Sequence, residues 1–310
     1  MPIFTRGSSL TMGSVWCFMG FTDLIGLVLD QIQDRLENTI MGAIDTGCQM
    51  LPEPQLTEQN VAQVKVIAHR GDRTLPGIAE NTFAAFDRAL ASGAWGIEFD
   101  IRWTRDLVPV VHHDQDLSRV FGVQKLISDL TWAQLAEQAP QLPLFSEMVE
   151  KYGGKVHFMI ELKEQHPTRH AYQADHLNET LSQLSAGRDY HFISFEPDLF
   201  SNMKVFESEL FFPIVRWEPF TLSRLALTKG FGGIMGYHAL MPGSIIRRHQ
   251  QAGQKCATGF IDSIALAKRE IAREIPWLFS NRACEIQNFL NSVKGSLGSG
   301  NLSHAQSRNL

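Results

Sequence analysis

Short apolar runs recur along the chain and alternate with segments whose apolar residues are three or four positions apart. Runs with a period of two predict strands, and spacings of three and four predict amphipathic helices. Helical spacing is found, for example, in Leu222–Thr228, Ser244–Ala252 and Ser263–Glu274. The predicted strands are Val64–Ala68, Gly96–Ile101, Val108–His112, Val156–Glu161, His191–Phe195, Phe212–Trp217, Gly233–Tyr237 and Lys255–Phe260.

This alternation predicts an α/β protein and, more specifically, a (βα)8 TIM-type barrel, in which functional groups gather at the carboxyl ends of the strands. A doubly wound sheet fits less well, because the chain has no glycine-rich phosphate loop. Only Trp103–Leu107 separates the second predicted strand from the third. A parallel crossover needs about a dozen residues or more, so these two strands should form an antiparallel hairpin that makes the barrel irregular.

The barrel is predicted to span residues 61–290, between an N-terminal extension (1–60) and a disordered tail (291–310) that is rich in Ser, Gly and Asn. Within the extension, Gly13–Leu29 is apolar but contains Asp23 and follows no basic cluster, which disfavours a signal peptide and a membrane span. An amphipathic helix follows, with an acidic polar face. A helix that is docked on the barrel or poorly ordered is therefore favoured over membrane attachment. The apolar stripe of this helix consists of Ile25, Leu29, Ile32, Leu36 and Ile40.

Composition narrows the class of protein. The 310 residues are 44% hydrophobic, which is enough to bury one barrel core. The net charge of -5 disfavours a nucleic-acid partner, whose binding surface would be basic. The four cysteines lack metal-type spacing, and a reducing, cytoplasmic location is the simplest interpretation.

Two predicted strands carry acidic residues on one face. Glu98 and Asp100 alternate with apolar residues, so both carboxylates lie on the same side of their strand. The same pattern places Glu161 on a second strand. Neighbouring carboxylates repel unless a cation neutralises them, and an all-oxygen set suits Mg²⁺ or Ca²⁺. Glu98, Asp100 and Glu161 are therefore predicted metal ligands, the alternative being a polar face turned to water.

Two adjacent histidines end the third predicted strand. His112 and His113 must point to opposite faces if the strand continues through both. A hairpin turn near Arg105 and Asp106 would place His113 roughly across from Glu98. His113 is therefore predicted to join the acids, and His112 to be a structural residue on the outer face.

Together these motifs resemble the glycerophosphodiester phosphodiesterase family. The family pattern runs His-Arg-Gly, Glu-Asn-Thr, Glu-x-Asp, Pro-Val-x-x-His-Asp and Glu-Leu-Lys, and the resemblance covers roughly residues 65–283. The matching segments are His69-Arg70-Gly71, Glu80-Asn81-Thr82, Glu98-Phe99-Asp100, Pro109 to Asp114 and Glu161-Leu162-Lys163.

The resemblance implies a metal-dependent enzyme that hydrolyses glycerophosphodiesters to glycerol 3-phosphate and an alcohol. It implies His69 and His113 as the acid–base pair and Arg70 and Lys163 as ligands of the substrate phosphate. In such an enzyme, phosphorus is attacked either by a neighbouring hydroxyl of the substrate, which gives a cyclic intermediate, or directly by water. Asn81 or Thr82 is expected to cap the helix that follows, and Glu80 to orient His69 or Arg70.

The chain also departs from the family pattern. The loop Gly71–Glu80 is about two residues longer than usual, and Ala79 replaces the common proline. Where the family has Trp-Thr-Val-Asn, this chain has Ala257-Thr258-Gly259-Phe260. Two alternatives therefore stay open: a lysophospholipase D-like enzyme with a channel for an acyl chain, and an inactive barrel that binds phosphodiesters.

Overall fold

The computed structural model describes residues 39–306 apart from residues 41, 165 and 167, with side chains described up to residue 295. Contacts divide the chain into two units, Met1–Met50 and Leu51–Leu310. In the first unit the described residues from 39 to 49 are helical. Ile40 is exposed there, and the rest of the predicted apolar stripe lies outside the described residues. Within the described ranges, none of the helices combines the length and the apolar character needed to cross a bilayer.

The second unit contains a closed barrel of eight parallel strands. Along the barrel the order is β1-β11-β10-β9-β8-β7-β6-β2, and pairing of β1 with β2 closes it. β3 pairs antiparallel with the outer end of β2, and β4 and β5 form a separate two-stranded sheet. The strands are β1 Lys65–His69, β2 Gly96–Trp103, β3 Pro109–Val111, β4 Asp116–Leu117, β5 Val123–Leu126, β6 His157–Leu162, β7 Tyr190–Ser194, β8 Phe211–Val215, β9 Gly233–Tyr237, β10 Lys255–Gly259 and β11 Trp277–Ser280.

Helices connect the strands and cover the outside of the barrel. The α-helices are Glu58–Ala62, Phe83–Ala91, Ser118–Phe121, Trp132–Gln138, Phe145–Tyr152, His170–Thr180, Pro219–Thr228, Gly243–Gln251, Ile264–Ala272 and Ala283–Gln306. Short 3-10 turns occur at Ile127–Asp129, Pro197–Asn202, Ser208–Leu210 and His238–Leu240.

The predicted barrel and its hairpin are confirmed, but one strand assignment was wrong. The segment Val108–His112 was counted among the eight strands, whereas β3 lies outside the barrel and the eighth strand is β11. β11 has only four residues and directly follows Pro276, so it lacks a recognisable period of two.

The final helix continues beyond residue 290, the predicted end of the barrel. Ala283–Gln306 runs into the segment 291–310 that was predicted to be disordered. Ile286 and Leu290 are buried and hold the first turns of this helix in place. Extending an existing helix costs much less than nucleating one, which accounts for the helical continuation through a polar sequence.

Side chains alternate along each strand between two buried layers, one between the barrel and its helices and one inside the barrel. Phe99 of β2 contacts the rings of Phe86 and Phe145 in the surrounding helices, so its neighbours Glu98 and Asp100 face the barrel interior. The middle of the interior is apolar and closes the barrel below the acids. This core comprises Ile67, Met159, Ile193, Phe212, Ile214, Met235, Ala257, Trp277 and Phe279.

The insertion between β3 and the helix Phe145–Tyr152 has a small core of its own. Leu117, Ile127, Leu130 and Leu135 are buried in it. Arg119 of this insertion reaches Glu80 next to the candidate site. Among the described cysteines, Cys256 and Cys284 are free thiols, and the cytoplasmic location stays a prediction.

Candidate active site

The carboxyl ends of three neighbouring strands bring the predicted residues together. In the β1–β2 ladder His69 pairs with Glu98, and in the β2–β6 ladder Asp100 pairs with Glu161. These pairs follow from parallel strands that end at the same edge of the barrel. The inward-facing residues of β1, β2 and β6 at this edge therefore carry one imidazole and three carboxylates.

The three carboxylates form a buried cluster. Glu98, Asp100 and Glu161 each place one oxygen within 4.8 Å of the others. Burial, followed by repulsion from Asp100 and Glu161, raises the pKa of Glu98 well above its ordinary value. Burial also raises the pKa of Glu161. Burial alone would raise the pKa of Asp100, but the positive charges of Lys163 and Arg70 hold it well below the ordinary value.

The cluster suits a hard divalent cation. Glu98 Oε1 accepts no hydrogen bond from the described part of the chain although it is buried. Buried carboxylate oxygens without donors are costly, and a bound cation would satisfy them. The donor set consists of oxygen alone, which matches Mg²⁺ or Ca²⁺ rather than zinc. The geometry therefore fits the predicted metal ligands.

Two cationic side chains border the cluster. Arg70 Nε lies 3.3 Å from Asp100 Oδ2, and Arg70 Nη1 lies 3.0 Å from Glu80 Oε1. Arg70 has a left-handed φ of 55°, and its backbone N–H donates to Glu98 Oε2 at 2.9 Å. Lys163 Nζ lies 2.9 Å from Asp100 Oδ1 and 2.5 Å from Glu161 Oε1. Both predicted phosphate ligands are thus at the site.

His69 lies against Glu98 and Asn281. Its Nδ1 is 2.8 Å from Asn281 Oδ1, and its Nε2 is 3.8 Å from Glu98 Oε2. The ring packs 4.4 Å from that of Phe260. Burial, then the charge of Arg70, lowers the pKa of His69 well below its ordinary value. The imidazole is therefore neutral near pH 7 in the protein alone.

The second histidine reaches the site by a different route from the one predicted. Ile101 pairs with Val111, and the N–H of His112 donates to the carbonyl of Asp100, so the expected register that set His113 across from Glu98 was wrong. β3 ends at Val111, and Arg102 Nε donates to the carbonyl of His113 at 2.8 Å. The chain turns there instead of continuing as a strand.

His113 is nevertheless the histidine next to the acids and cations. Burial, then the charges of Lys163 and Arg70, lowers its pKa to about 3. Its Nδ1 lies 2.7 Å from Asp114 Oδ1. His112 instead contacts the insertion: its Nε2 lies 2.9 Å from the carbonyl of Asp116, and its ring lies next to that of Phe121.

The Glu-Asn-Thr motif contributes more than a helix cap. Thr82 is the N-cap of Phe83–Ala91, but Asn81 donates through Nδ2 to Asp100 Oδ2 at 2.7 Å. Of the two residues expected to cap the helix, Thr82 does so, and Asn81 holds a carboxylate of the acidic cluster. Glu80 contacts Arg70, as expected, and although burial acts to raise its pKa, the nearby cations keep that pKa low.

Several residues at the site were not foreseen. Arg119 of the insertion donates to Glu80 Oε1 at 2.6 Å and to Asp114 Oδ2 at 2.7 Å, and Arg73 also contacts Glu80. Asn281, directly after β11, contacts His69. Phe279 of β11 lies in the barrel core, so the period of two would have placed Asn281 in the interior had β11 been recognised.

Acids, cations and imidazoles at the carboxyl ends of barrel strands are typical of enzymes that act on phosphate esters with a divalent ion. Residues 69–229 match the model of the glycerophosphoryl diester phosphodiesterase family. The chain belongs to this family.

Curated relatives share the central part of the chain. A glycerophosphodiester phosphodiesterase of Bacillus altitudinis is 34% identical over 110 residues, which cover 32% of this chain and 44% of the relative. A human lysophospholipase D, GDPD1, is 34% identical over 132 residues, covering 42% of this chain and 41% of the relative. The chain thus aligns with about half or less of the length of these relatives.

Solved structures share the fold. A glycerophosphodiester phosphodiesterase of Thermotoga maritima superposes with a TM-score of 0.63 at 24% identity, over 73% of this chain and 98% of that one. An Oleispira antarctica phosphodiesterase in complex with the product sn-glycerol-3-phosphate has a TM-score of 0.63 at 23% identity, over 73% and 96%. At sequence identities of 24% and 23%, the structural similarity shows that this chain shares the barrel fold of these two proteins.

Proposed function

We propose that this protein hydrolyses glycerophosphodiesters to glycerol 3-phosphate and an alcohol, with Mg²⁺ or Ca²⁺ held by Glu98, Asp100 and Glu161. The observation that carries the proposal is the buried set of three carboxylates within 4.8 Å, bordered by Arg70 and Lys163. Three negative charges exceed two positive ones, which leaves a place for one cation. When bound, that ion would neutralise charge on the phosphoryl oxygens.

Arg70 and Lys163 bind the non-bridging phosphate oxygens. Arg70 presents a planar guanidinium, which pairs well with phosphate, and Lys163 supplies a compact charge. Both already contact Asp100 in the protein alone. Substrate binding would let them exchange part of this contact for the phosphate.

His69 and His113 divide the proton transfers according to their partners. Asp114, a carboxylate, favours the protonated form of His113, which suits the general acid. His69 contacts a neutral amide and stays uncharged, which suits the general base. Besides burial, Lys163 and Arg70 lower the pKa of His113, and a phosphodiester bound to these two cations would offset their effect.

A second candidate is hydrolysis of lysophospholipids, which carry an acyl chain. Trp217 and Phe220 follow β8 at the same end of the barrel as the site and are 64% and 55% exposed. Exposed aromatic side chains at this end of the barrel would fit an apolar substrate. The human relative named a lysophospholipase D is consistent with this candidate.

The test compares two substrates. Purified full-length protein with Mg²⁺ or Ca²⁺ is incubated with glycerophosphocholine or lysophosphatidylcholine, and release of choline and of glycerol 3-phosphate is measured. Release of both products from glycerophosphocholine supports the first proposal, whereas turnover of lysophosphatidylcholine alone supports the second. Binding of either substrate without turnover would favour the inactive barrel.

A further inference from the structure

The side chain of Asn281 joins three polar groups beside the site. Its Oδ1 lies 2.8 Å from Nδ1 of His69 and accepts from Arg73 Nη2 at 3.1 Å. Its Nδ2 donates to Asp262 Oδ2 at 2.7 Å, and its backbone N–H donates to Asp262 Oδ1 at 2.8 Å. Asn281 thus occupies the space between the carboxylate of Asp262 and the imidazole of His69.

The contacts define which way the amide faces. A carboxylate accepts hydrogen bonds, so the amide NH₂ of Asn281 must face Asp262. Arg73 donates, so it requires the amide oxygen on the other side, where His69 also lies. The hydroxyl of Ser280 contacts Asp262 Oδ1 at 3.1 Å and holds the carboxylate in place. A flipped amide would oppose donor to donor at Arg73 and acceptor to acceptor at Asp262.

The amide orientation in turn selects one form of the imidazole. The oxygen of Asn281 accepts and cannot donate, so Nδ1 of His69 must carry the proton. In the neutral ring Nε2 then keeps its lone pair, and this atom lies on the side of Glu98, 3.8 Å from Oε2. The ring of Phe260, with its centroid 4.4 Å away, packs against the imidazole and restricts its rotation.

We propose that Asn281, itself held by Asp262, is a positioning residue that keeps His69 in the Nδ1–H tautomer with Nε2 directed at the acidic cluster. The catalytic part of this proposal rests on the proposed function. The proton of the attacking hydroxyl, whether of substrate or water, passes to Nε2 while the new O–P bond forms. The P–O bond to the leaving alcohol breaks, and His113 supplies the proton that this alcohol takes up. With the other tautomer, the atom that must accept this proton would already carry one.

The tautomer can be measured without any substrate. Full-length protein with ¹⁵N-labelled histidine is studied by two-bond ¹H–¹⁵N correlation, which distinguishes protonated from bare ring nitrogens. The signals of His69 are identified by their loss in His69→Gln. The expected result is a protonated Nδ1 and a bare Nε2 in the wild type, and signal of the Nε2–H form in Asn281→Leu. A bare Nδ1 in the wild type would overturn the proposal.

Kinetics test the consequence for catalysis. Asn281→Leu should lower kcat by about 10-fold to 100-fold, the scale for losing a partner that orients a functional histidine, with little change in KM. Asn281→Asp keeps an acceptor for Nδ1 and, when combined with Asp262→Asn to restore a donor toward position 281, should recover both the tautomer and part of the lost kcat. Asn288→Leu, at an exposed position on the last helix, is the matched control and should retain wild-type kcat.

The two readouts separate failure of this inference from failure of the proposed function. If no phosphodiester is hydrolysed, the tautomer of His69 still tests the role of Asn281. If the protein is active but Asn281→Leu, shown to be folded by its thermal unfolding, keeps wild-type tautomer and kcat, Asn281 has no positioning role. Asp262→Asn provides a second variant, because it weakens the hold on the amide while leaving Asn281 in place.

Discussion

Replacing Glu98 by Gln should stabilise the protein without metal and destabilise it relative to wild type with metal. Glu98 is buried, and one of its oxygens has no hydrogen-bond partner among the described residues. The new amide carbonyl can still accept from the backbone N–H of Arg70, and its NH₂ can donate to a neighbouring carboxylate. The substitution therefore removes a charge while preserving shape.

The size of the effect follows from the spacing of the carboxylates. Two unit charges 4.8 Å apart repel by about 3 kcal/mol at an effective dielectric constant of about 20. Ionised Glu98 experiences two such repulsions, partly offset by its attraction to Arg70 and Lys163. Its raised pKa shows that keeping this side chain in the metal-free cluster costs free energy, either as a charge or as a bound proton, and Gln avoids that cost. We expect a net gain of about 1–3 kcal/mol in the metal-free protein, or about 2–4 °C in Tm per kcal/mol.

The assay is thermal unfolding of wild type and Glu98→Gln at pH 7, in chelator and in increasing Mg²⁺. A ligand at about 100 times its Kd stabilises the folded state by about 2.7 kcal/mol. Wild-type Tm should rise by that mechanism, whereas the variant, lacking one ligand, should respond weakly. The two Tm values should therefore change order as Mg²⁺ is added.

Glu150→Gln is the control, since Glu150 is an exposed residue of the helix Phe145–Tyr152. It loses the same charge outside the cluster and should follow wild type in both conditions. Equal stabilisation of Glu98→Gln and wild type by Mg²⁺ would refute Glu98 as a ligand. A lower Tm of Glu98→Gln in chelator would refute the calculated repulsion.

Three further predictions concern catalysis, acid stability and the N-terminal unit. His113→Ala should lower kcat by about 10²–10⁴-fold in steady-state assays, because a general acid is lost, and His112→Ala should do far less; the reverse ranking would move the site to the outer face. Asp72→Asn should lower the free energy of unfolding at pH 7 by about 2 kcal/mol in denaturant titrations. Burial acts to raise the pKa of Asp72, but hydrogen bonds from Thr74 and Cys284 outweigh burial and lower that pKa to about 2. Because the folded-state pKa lies below the ordinary value of 3.8, this stabilisation is full above about pH 4 and is lost as the pH falls toward 2. If wild type and Asp72→Asn differed in free energy of unfolding as much at pH 2 as at pH 7, the prediction would be contradicted. A chain starting at Met50 should keep wild-type kcat, and folded, metal-loaded but inactive protein would show that the first unit completes the site.

The acidic cluster was predictable because its geometry is local. Alternation within one strand decides which residues share a face, and this placed Glu98 with Asp100 correctly. Closure of a parallel barrel then brings the carboxyl ends of neighbouring strands together, which pairs Asp100 with Glu161. The positions of Arg70 and Lys163 at the site were also predictable, because each residue lies within two positions of a strand residue already assigned to the site.

The remaining contacts depend on parts of the chain that no local pattern connects. His69 and Asn281 are 212 positions apart and meet because β11 pairs with β1. β11 is too short to be recognised by its period. The approach of His113 depends on where β3 ends, and a shift of one residue at a strand end reverses the expected face.

The contact of Arg119 with Glu80 depends on how the insertion folds back over the barrel. Its small core forms from residues of the insertion together with Val110 of β3, which sets its position on the barrel. The sequence pattern of the insertion predicts apolar contacts but not their orientation relative to the site. Arg119 therefore became a candidate only with the structure.

The most direct test of the account measures release of glycerol 3-phosphate from glycerophosphocholine by full-length protein stripped of metal. The account predicts no turnover in chelator and recovery as Mg²⁺ or Ca²⁺ is added back, with Glu161→Gln failing to recover. Glu150→Gln should recover like wild type. Turnover that persists undiminished in strong chelator, or full recovery by Glu161→Gln, would contradict a metal-dependent site at Glu98, Asp100 and Glu161.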